Sequence, residues 1–377
     1  MRVTACEFVW LRVPFRAPFK HAAAERTASD SVLIVLQDEA GYQGFGEVLA
    51  RSYVTGETTE EVFAAGPALA DVCIGRRFGT QQELVGYLTV QLESGGWQPA
   101  LLGGFEAALI NLFEQTVTWD FASMLGRRRT TPPGSCFTIG FEATVRELRH
   151  RAMMARVSAA TVVKVKVGGA DDARRLGVLS EHLGKTVPLR LDANGSLSLE
   201  QAVALLAECR GLPIQSLEQP FDAREPDLAD KLRALHAQTA VPLVADESVC
   251  TPADAATWVA YGGYQVFNVR VGKCGGLLAC ARIMQAARAA GVCLVAGSMV
   301  GESGVLTHAS EVLLAHSDDL PYVEGLGQNR SLLVCDPVEV VSSGRSADGA
   351  GRRPVTVFRL RDDARKRFLV ARQRIDG

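Results

Sequence analysis

The 377-residue chain sets 40 Lys and Arg against 42 Asp and Glu, a near-neutral balance that gives no electrostatic basis for binding a nucleic acid or an anionic membrane. Its length exceeds one ordinary domain, so two domains, or a barrel-sized domain with an appendage, are expected. Nine cysteines, at 6, 73, 136, 209, 250, 274, 280, 293 and 335, lack CxxC spacing and read as reduced buried thiols, not as disulfides or a zinc site. The opening "MRVTACEFVWLRVPF" has no signal-peptide h-region, and no uninterrupted apolar segment could span a bilayer. A soluble, cytoplasmic protein is expected.

Residues 1 to about 60 read as antiparallel strands. "VTACEFVWLRVPF" alternates, and "SVLIVLQDEAGYQGFGEV" is two β-rich runs around a turn containing Asp38 and Gly41. From Thr59 to about Met124 the spacing is helical, in "EEVFAAGPALADVCIG" and "GGFEAALINLFEQTVTWDFASMLG". "GRRRTTPPGS", 126 to 135, mixes charge, Thr, Pro and Gly and is the best linker. Eight short apolar runs follow: "CFTIGF" near 136, "VVKVKV" near 162, "LRLDAN" near 189, "IQSLEQP" near 214, "LVADES" near 243, "VFNVRV" near 266, "VCLVAG" near 292 and "YVEG" near 322. Helical stretches such as "LEQAVALLAECRG" lie between them, which predicts an α/β fold with a (β/α)8-type barrel whose functional residues sit at the C-terminal strand ends. A doubly wound open sheet is the runner-up, but no GxGxxG follows a first strand. The tail, 335 to 377, returns to strand-like "VTVFRLRDD" and is expected to pack on the opening domain.

The late ends of consecutive strands carry Lys164 and Lys166, then Asp192, Glu218 and Asp246. Intervals of 26, 26 and 28 residues separate Lys166 from the three acids in turn. Each interval is one βα unit, so the acids converge on one rim, where they repel and shift upward in pKa unless a cation is present. Oxygen ligands without His or Cys suit Mg²⁺, with Mn²⁺ as the alternative. A single acid at a strand end commonly caps a helix or pairs with an Arg; three at barrel period favour the metal. Lys164 and Lys166 share a strand face, and beside that rim burial and like charge would lower lysine pKa and make a neutral base available.

"KVKVG", "LDANG", "LEQP" and "ADES" in this order resemble the enolase superfamily, and within it the mandelate racemase/muconate lactonizing enzyme family and its muconate cycloisomerase subgroup. The resemblance implies an N-terminal α+β capping domain over 1–128, a (β/α)7β TIM-like barrel over 129–330, and a C-terminal segment, 331–377, packing back on the cap. It implies that Lys166 is the general base that removes the proton α to a carboxylate. Lys164 tunes that base and contacts substrate, and Mg²⁺ on Asp192, Glu218 and Asp246 stabilises the enolate. Asn194 and Glu247 adjoin the ligands and either support them or cap helices.

The chain departs from the subgroup at "FNVRVGKCGG", where Arg270 stands at the position of a second lysine facing Lys166, and Lys273 follows three residues later. Arginine is a poor base and a good clamp for a carboxylate or enolate. A one-base cycloisomerase or dehydratase of a small carboxylic acid is therefore the leading expectation. The alternatives are a racemase or epimerase of an amino-acid derivative using Lys166 and Lys273, and a barrel that binds a carboxylate without turning it over. "YVEGLGQ" offers only Glu324 where the subgroup's dipeptide epimerases usually carry DxD, which counts against a dipeptide. Substrate choice would fall to cap loops holding His21 and Arg26, and Tyr53 and Thr55. Ser298 and Glu302 in "GSMVGESG" could hold a carboxylate or bond across the rim, or cap a helix. The expected partners are a small-molecule carboxylate and a second copy of the chain, with no nucleic acid and no membrane.

Overall fold

The computed structural model describes residues 1–21, 24–142, 144–344 and 355–377, with the side chains of 20, 21, 24, 25 and 342–344 outside that description. Strands β1 (Val3–His21), β2 (Ala24–Asp38) and β3 (Gln43–Val48) pair antiparallel in sequence order. The turn into β3 closes on Asp38, whose Oδ1 accepts from the Ala40 and Tyr42 N–H groups at 2.9 Å. Four helices follow, α1 (Thr59–Asp71), α2 (Gln81–Glu93), α3 (Pro99–Glu114) and α4 (Phe121–Leu125). The first two start on capping boxes, Thr58 with Glu61 and Thr80 with Glu83, which satisfy otherwise orphaned N–H groups. Helix α3 lies so close on β3 that a Cβ at Gly46 would overlap the Gly104 carbonyl.

The eight apolar runs all form strands, β4 (Gly134–Ile139), β5 (Val162–Lys166), β6 (Leu189–Asp192), β7 (Ile214–Glu218), β8 (Leu243–Ala245), β9 (Val266–Val269), β10 (Cys293–Ala296) and β11 (Tyr322–Glu324). They pair in parallel and close into a barrel. Helices α5 (Val145–Val157), α6 (Asp172–Leu183), α7 (Leu199–Glu208), α8 (Leu228–His236), α9 (Pro252–Tyr261), α10 (Val271–Cys274) with α11 (Leu277–Ala289), and α12 (Gly304–Ala315) fill the seven crossovers. After β11 comes only the single turn α13 (Asn329–Leu332), so the barrel is (β/α)7β, as expected. Strands β12 (Val338–Gly344) and β13 (Val355–Leu360) form a separate ribbon; α14 (Asp362–Phe368) then leads to β14 (Leu369–Asp376), which pairs antiparallel with β1.

Two buried glutamates join the first layer to the barrel. Glu47 of β3 accepts from the Ser303 N–H at 2.9 Å, the Ser303 hydroxyl at 2.7 Å and the Leu306 N–H at 3.2 Å, at the start of α12. Glu106 of α3 accepts from the Leu277 and Leu278 N–H groups at 2.5 and 3.2 Å, at the start of α11. Helix starts leave N–H groups without partners, and a carboxyl is a suitable acceptor there. These contacts fix the loops after β3 over the barrel's C-terminal rim. Among the described residues no helix is long and apolar enough to cross a membrane.

Candidate active site

Strand register explains the two lysines. Lys164 and Lys166 lie opposite Arg190 and Asp192 on β6, which lie opposite Ser216 and Glu218 on β7. Residues two apart share a strand face, so these charged pairs form one interior layer while Val163 and Val165 join the apolar core. Lys164 Nζ stands 2.9 Å from Asp192 Oδ2, 2.9 Å from Glu218 Oε2 and 2.8 Å from Glu324 Oε2. Lys166 Nζ donates to Asp192 Oδ2 at 2.7 Å and to Asn194 Oδ1 at 2.5 Å. Asn194, held at a left-handed φ of 45°, donates in turn to Glu247 Oε1 at 3.3 Å.

The far side of the rim is closed by Arg270, which pairs with Asp246 and reaches 3.9 Å from Glu218 Oε1. Arg190 pairs with Glu218 at 3.0 Å and with Glu324, and Asn268 Nδ2 donates to Glu218 Oε1 at 2.8 Å. Burial opposes ionisation of Asp192, but Lys164 and Lys166 outweigh it and hold its carboxyl far below the usual range. Burial is likewise outweighed at Asp246 by Arg270 and Lys273, which bring it down to about 2. Glu218 is raised, by burial first and then by Glu324 and Asp192, against the pull of Lys164 and Arg190. At Lys164 the direction is opposite to the lowering expected beside a bound cation. Burial pulls it down, yet Asp192, Glu218 and Glu324 together hold it well above the ordinary lysine value.

The three expected metal ligands converge, but with the chain's own cations between them: Lys164 between Asp192 and Glu218, Arg270 between Glu218 and Asp246. As a result, among the described residues no three acidic, histidine or cysteine side chains are grouped so as to hold a metal. The physical reason is that like charges brought together must be neutralised by whatever cation is at hand. The donor set still fits a hard divalent ion in kind. Asp192, Glu218 and Asp246 are fully buried oxygen donors, and Asn268 Oδ1 and Glu247 Oε2 lie buried without a hydrogen-bond partner.

A cavity of about 630 Å³ opens over this layer, lined by Lys164, Lys166, Asn194, Arg270 and Glu324 from the barrel and by Arg51 and Tyr53 from the cap. A family model described as "Enolase C-terminal domain-like" matches residues 147–349, which carry every residue of the charged layer. The chain belongs to the enolase superfamily. An L-Lys-D/L-Arg epimerase from Methylococcus capsulatus is 32% identical over 294 residues, covering 76% of this chain and 79% of that protein. An L-Ala-D/L-Glu epimerase from Bacillus subtilis is 27% identical, covering 80% and 81%. A crystal structure of a dipeptide epimerase from Cytophaga hutchinsonii, complexed with Mg and the dipeptide D-Ala-L-Val, shares the fold with a TM-score of 0.84 at 21% identity, covering the whole of both chains.

Within this enolase-superfamily barrel several expected residues have other work. Lys273 does not reach the cavity. It is fully buried, with Nζ donating to the Asp246 carbonyl at 2.6 Å, to Asp246 Oδ1 at 3.0 Å and to the Asn268 carbonyl at 2.9 Å. It therefore braces the Asp246 loop and is not a second base at the cavity. Glu302 also stays off the rim, accepting from the Met299 N–H and the Thr307 hydroxyl. Ser298 lines the cavity but donates to the Glu324 carbonyl at 2.8 Å. Arg26 lies 3.6 Å from Asp30, Thr55 donates to Glu57 at 2.7 Å, and neither is among the lining residues. The side chain of His21 lies outside the described residues.

Arg190 and Asn268 were legible but unread: each sits two residues before a named site residue and so shares its strand face. Arg51, on the same cap loop as Tyr53, carries no periodic signal.

Proposed function

We propose that the protein catalyses metal-assisted removal of the proton α to the carboxylate of an amino-acid derivative, a dipeptide or an N-acylated amino acid, as an epimerase or racemase. The observation that carries this reading is that Lys164, Lys166 and Arg270 line one cavity directly over three buried carboxylates. The epimerase relatives support the substrate class and the reaction, in preference to cycloisomerisation of an unsaturated dicarboxylate. Lys166 takes the α-proton on Nζ, oriented by Asn194 Oδ1 and Asp192, and can return it to the same face; inversion requires a proton delivered to the opposite face, where Arg270 stands in place of a lysine. Lys164 and Arg270 present fixed positive charge to the substrate carboxylate, where negative charge grows as the proton leaves. Asp192, Glu218 and Asp246 would hold Mg²⁺, which when bound supplies Lewis-acid stabilisation of that charge.

A second reading, a one-base isomerisation or elimination, is favoured by Arg270, because a guanidinium stays protonated and cannot serve the opposite face as a base. Solvent deuterium exchange at the α-carbon, followed by NMR with chiral analysis over dipeptides and N-acyl amino acids, tests both. Exchange should require Mg²⁺ and fall by about 10³ in Lys166→Ala. Exchange with inversion supports the epimerase; exchange with strict retention supports the one-base reading. No exchange across the set would leave only a carboxylate-binding barrel.

A further inference from the structure

The run "KVKVGGADDARR", 164 to 175, places a glycine pair, Gly168 and Gly169, and then Asp172 and Arg175 directly behind Lys166. Strand pairing carries as far as the Val167 N–H, which donates to the Asp192 carbonyl at 3.0 Å. Beyond it the chain is held by the first turn of α6. Asp172 Oδ2 accepts from the Gly168 N–H at 2.6 Å and the Gly169 N–H at 2.9 Å, and its Oδ1 accepts from Arg175 Nη1 at 2.7 Å. The same Nη1 donates to the carbonyl of Lys166 itself at 3.0 Å, and Nη2 donates to the carbonyl of Gly140, just after β4. Asp172 and Arg175 are 4% and 6% exposed, and neither lines the cavity.

A buried ion pair is weak support for stability, since apolar side chains of similar size commonly serve as well; what it can supply is a defined conformation. This pair directs four bonds to main chain, at the base residue, at the glycine turn behind it and at the end of the neighbouring strand. Gly168 stands at φ 123°, and a Cβ there would overlap Ser196 Oγ, so the glycine turn is pressed against the loop that carries Asn194. The contact of Lys166 Nζ with Asn194 Oδ1, at 2.5 Å, is therefore set by backbone placement on both sides. We propose that the Asp172–Arg175 pair is the positioning device for Lys166. By fixing the main chain at and behind residue 166 it sets where Nζ stands, and through that the rate of proton removal, without touching substrate. This rests on reading Lys166 as the base of α-deprotonation. A displacement of about 1 Å at a reacting group costs on the order of 10² in rate, so a device of this kind acts on turnover and not on affinity.

Asp172→Asn combined with Arg175→Met removes both charges together, so that neither is left buried alone. It keeps an acceptor for the glycine N–H groups while the bonds to Lys166 and Gly140 are lost. In the full-length protein with Mg²⁺, on the dipeptide or N-acyl amino acid that exchanges fastest, the maximal rate of α-exchange should fall by about 10², with half-saturation within about threefold. The melting curve should stay cooperative. Arg175→Lys, which keeps the pair with Asp172 but has one amine in place of the fork, should lose only about tenfold. Crystal structures of the double variant and the unaltered protein should show Lys166 Nζ withdrawn from Asn194. An unchanged maximal rate, a loss confined to half-saturation, or Nζ still bonded to Asn194 in the variant would overturn the proposal. Should the double variant not fold, full activity in Arg175→Lys overturns it. The two readings fail separately. Without exchange on any compound the deprotonation reading falls, and the crystal comparison still decides whether the pair places Lys166.

Discussion

At the barrel rim Asp192 and Asp246 meet ammonium and guanidinium groups, whereas at the joints between the first layer and the barrel Glu47 and Glu106 meet only hydroxyl and N–H donors. Both sets are fully buried, yet they titrate in opposite directions. Asp192 and Asp246 lie below the ordinary carboxylate value, while burial pushes Glu47 up to about 7 and Glu106 up to about 8. Neutral donors satisfy a carboxyl without making up its lost hydration; full charges do. The rim therefore holds dense, fixed charge at neutral pH, as a site that meets a developing enolate needs. The joints hold carboxyls whose task is to fasten helices α11 and α12. Glu218 stands between the two cases, raised by burial first and then by Glu324 and Asp192, against the pull of Lys164 and Arg190.

The most direct way to break this contrast is Glu218→Gln. The substitution removes the charge on which Lys164, Arg190 and Asn268 converge. Lys164 and Arg190, and Arg270 at 3.9 Å, then lose a counter-charge, at a cost of about 3 kcal/mol to stability. Loss of α-exchange on the order of 10² to 10³ is expected as well. Urea denaturation and the exchange assay measure the two effects. A variant that exchanges at the original rate would show that Glu218 only balances charge and takes no part in stabilising the enolate.

Barrel period made the rim legible. Strand placement and the Lys164/Lys166 face follow from apolar runs at βα spacing, and both formed as expected; the three acids come to the same rim with Lys164 and Arg270 between them. The partners of those acids were less visible. Arg190 could have been read from its place two residues before Asp192, but a charged residue in a short strand gives no sign of which neighbour will neutralise it. Lys273 is the instructive failure. Its proximity in sequence to Arg270 suggested a spare base, but one helical turn carries it under the rim, where three oxygens hold it. The joints were invisible because Glu47 and Glu106 find their partners some 256 and 171 residues away. Tertiary contact, not local pattern, defines them.

Arg270→Lys sharpens the rim side of the comparison. Arg270 lines the cavity with Lys166 and holds Asp246 from the far side. A lysine there keeps the positive charge and adds a group able to exchange its proton, so inversion should rise relative to exchange by roughly tenfold. Chiral chromatography of product formed in D₂O gives the ratio directly. Unchanged stereochemistry would mean that the residue at 270 does not face the opposite side of the α-carbon.

The smallest effect separates the joints from the rim by pH. In the unfolded chain Glu106 ionises near its ordinary 4.5, whereas in the fold burial holds its proton to about pH 8. Between those values the folded state keeps a proton that the unfolded state has released. Stability therefore falls as pH rises through that window. Asp246 runs the other way: with its folded value near 2 against an ordinary 3.8, its contribution is lost as pH falls through that interval. Glu106→Gln keeps an acceptor for the Leu277 and Leu278 N–H groups but removes the titration. The variant should lose about 1 kcal/mol at pH 5 through poorer capping and recover relative to the unaltered protein by pH 8. Melting temperatures of both proteins at the two pH values give the double difference. A loss independent of pH would mean that the α11 N-terminus keeps Glu106 ionised throughout, and the joint would then resemble the rim, with the helix dipole in place of a lysine.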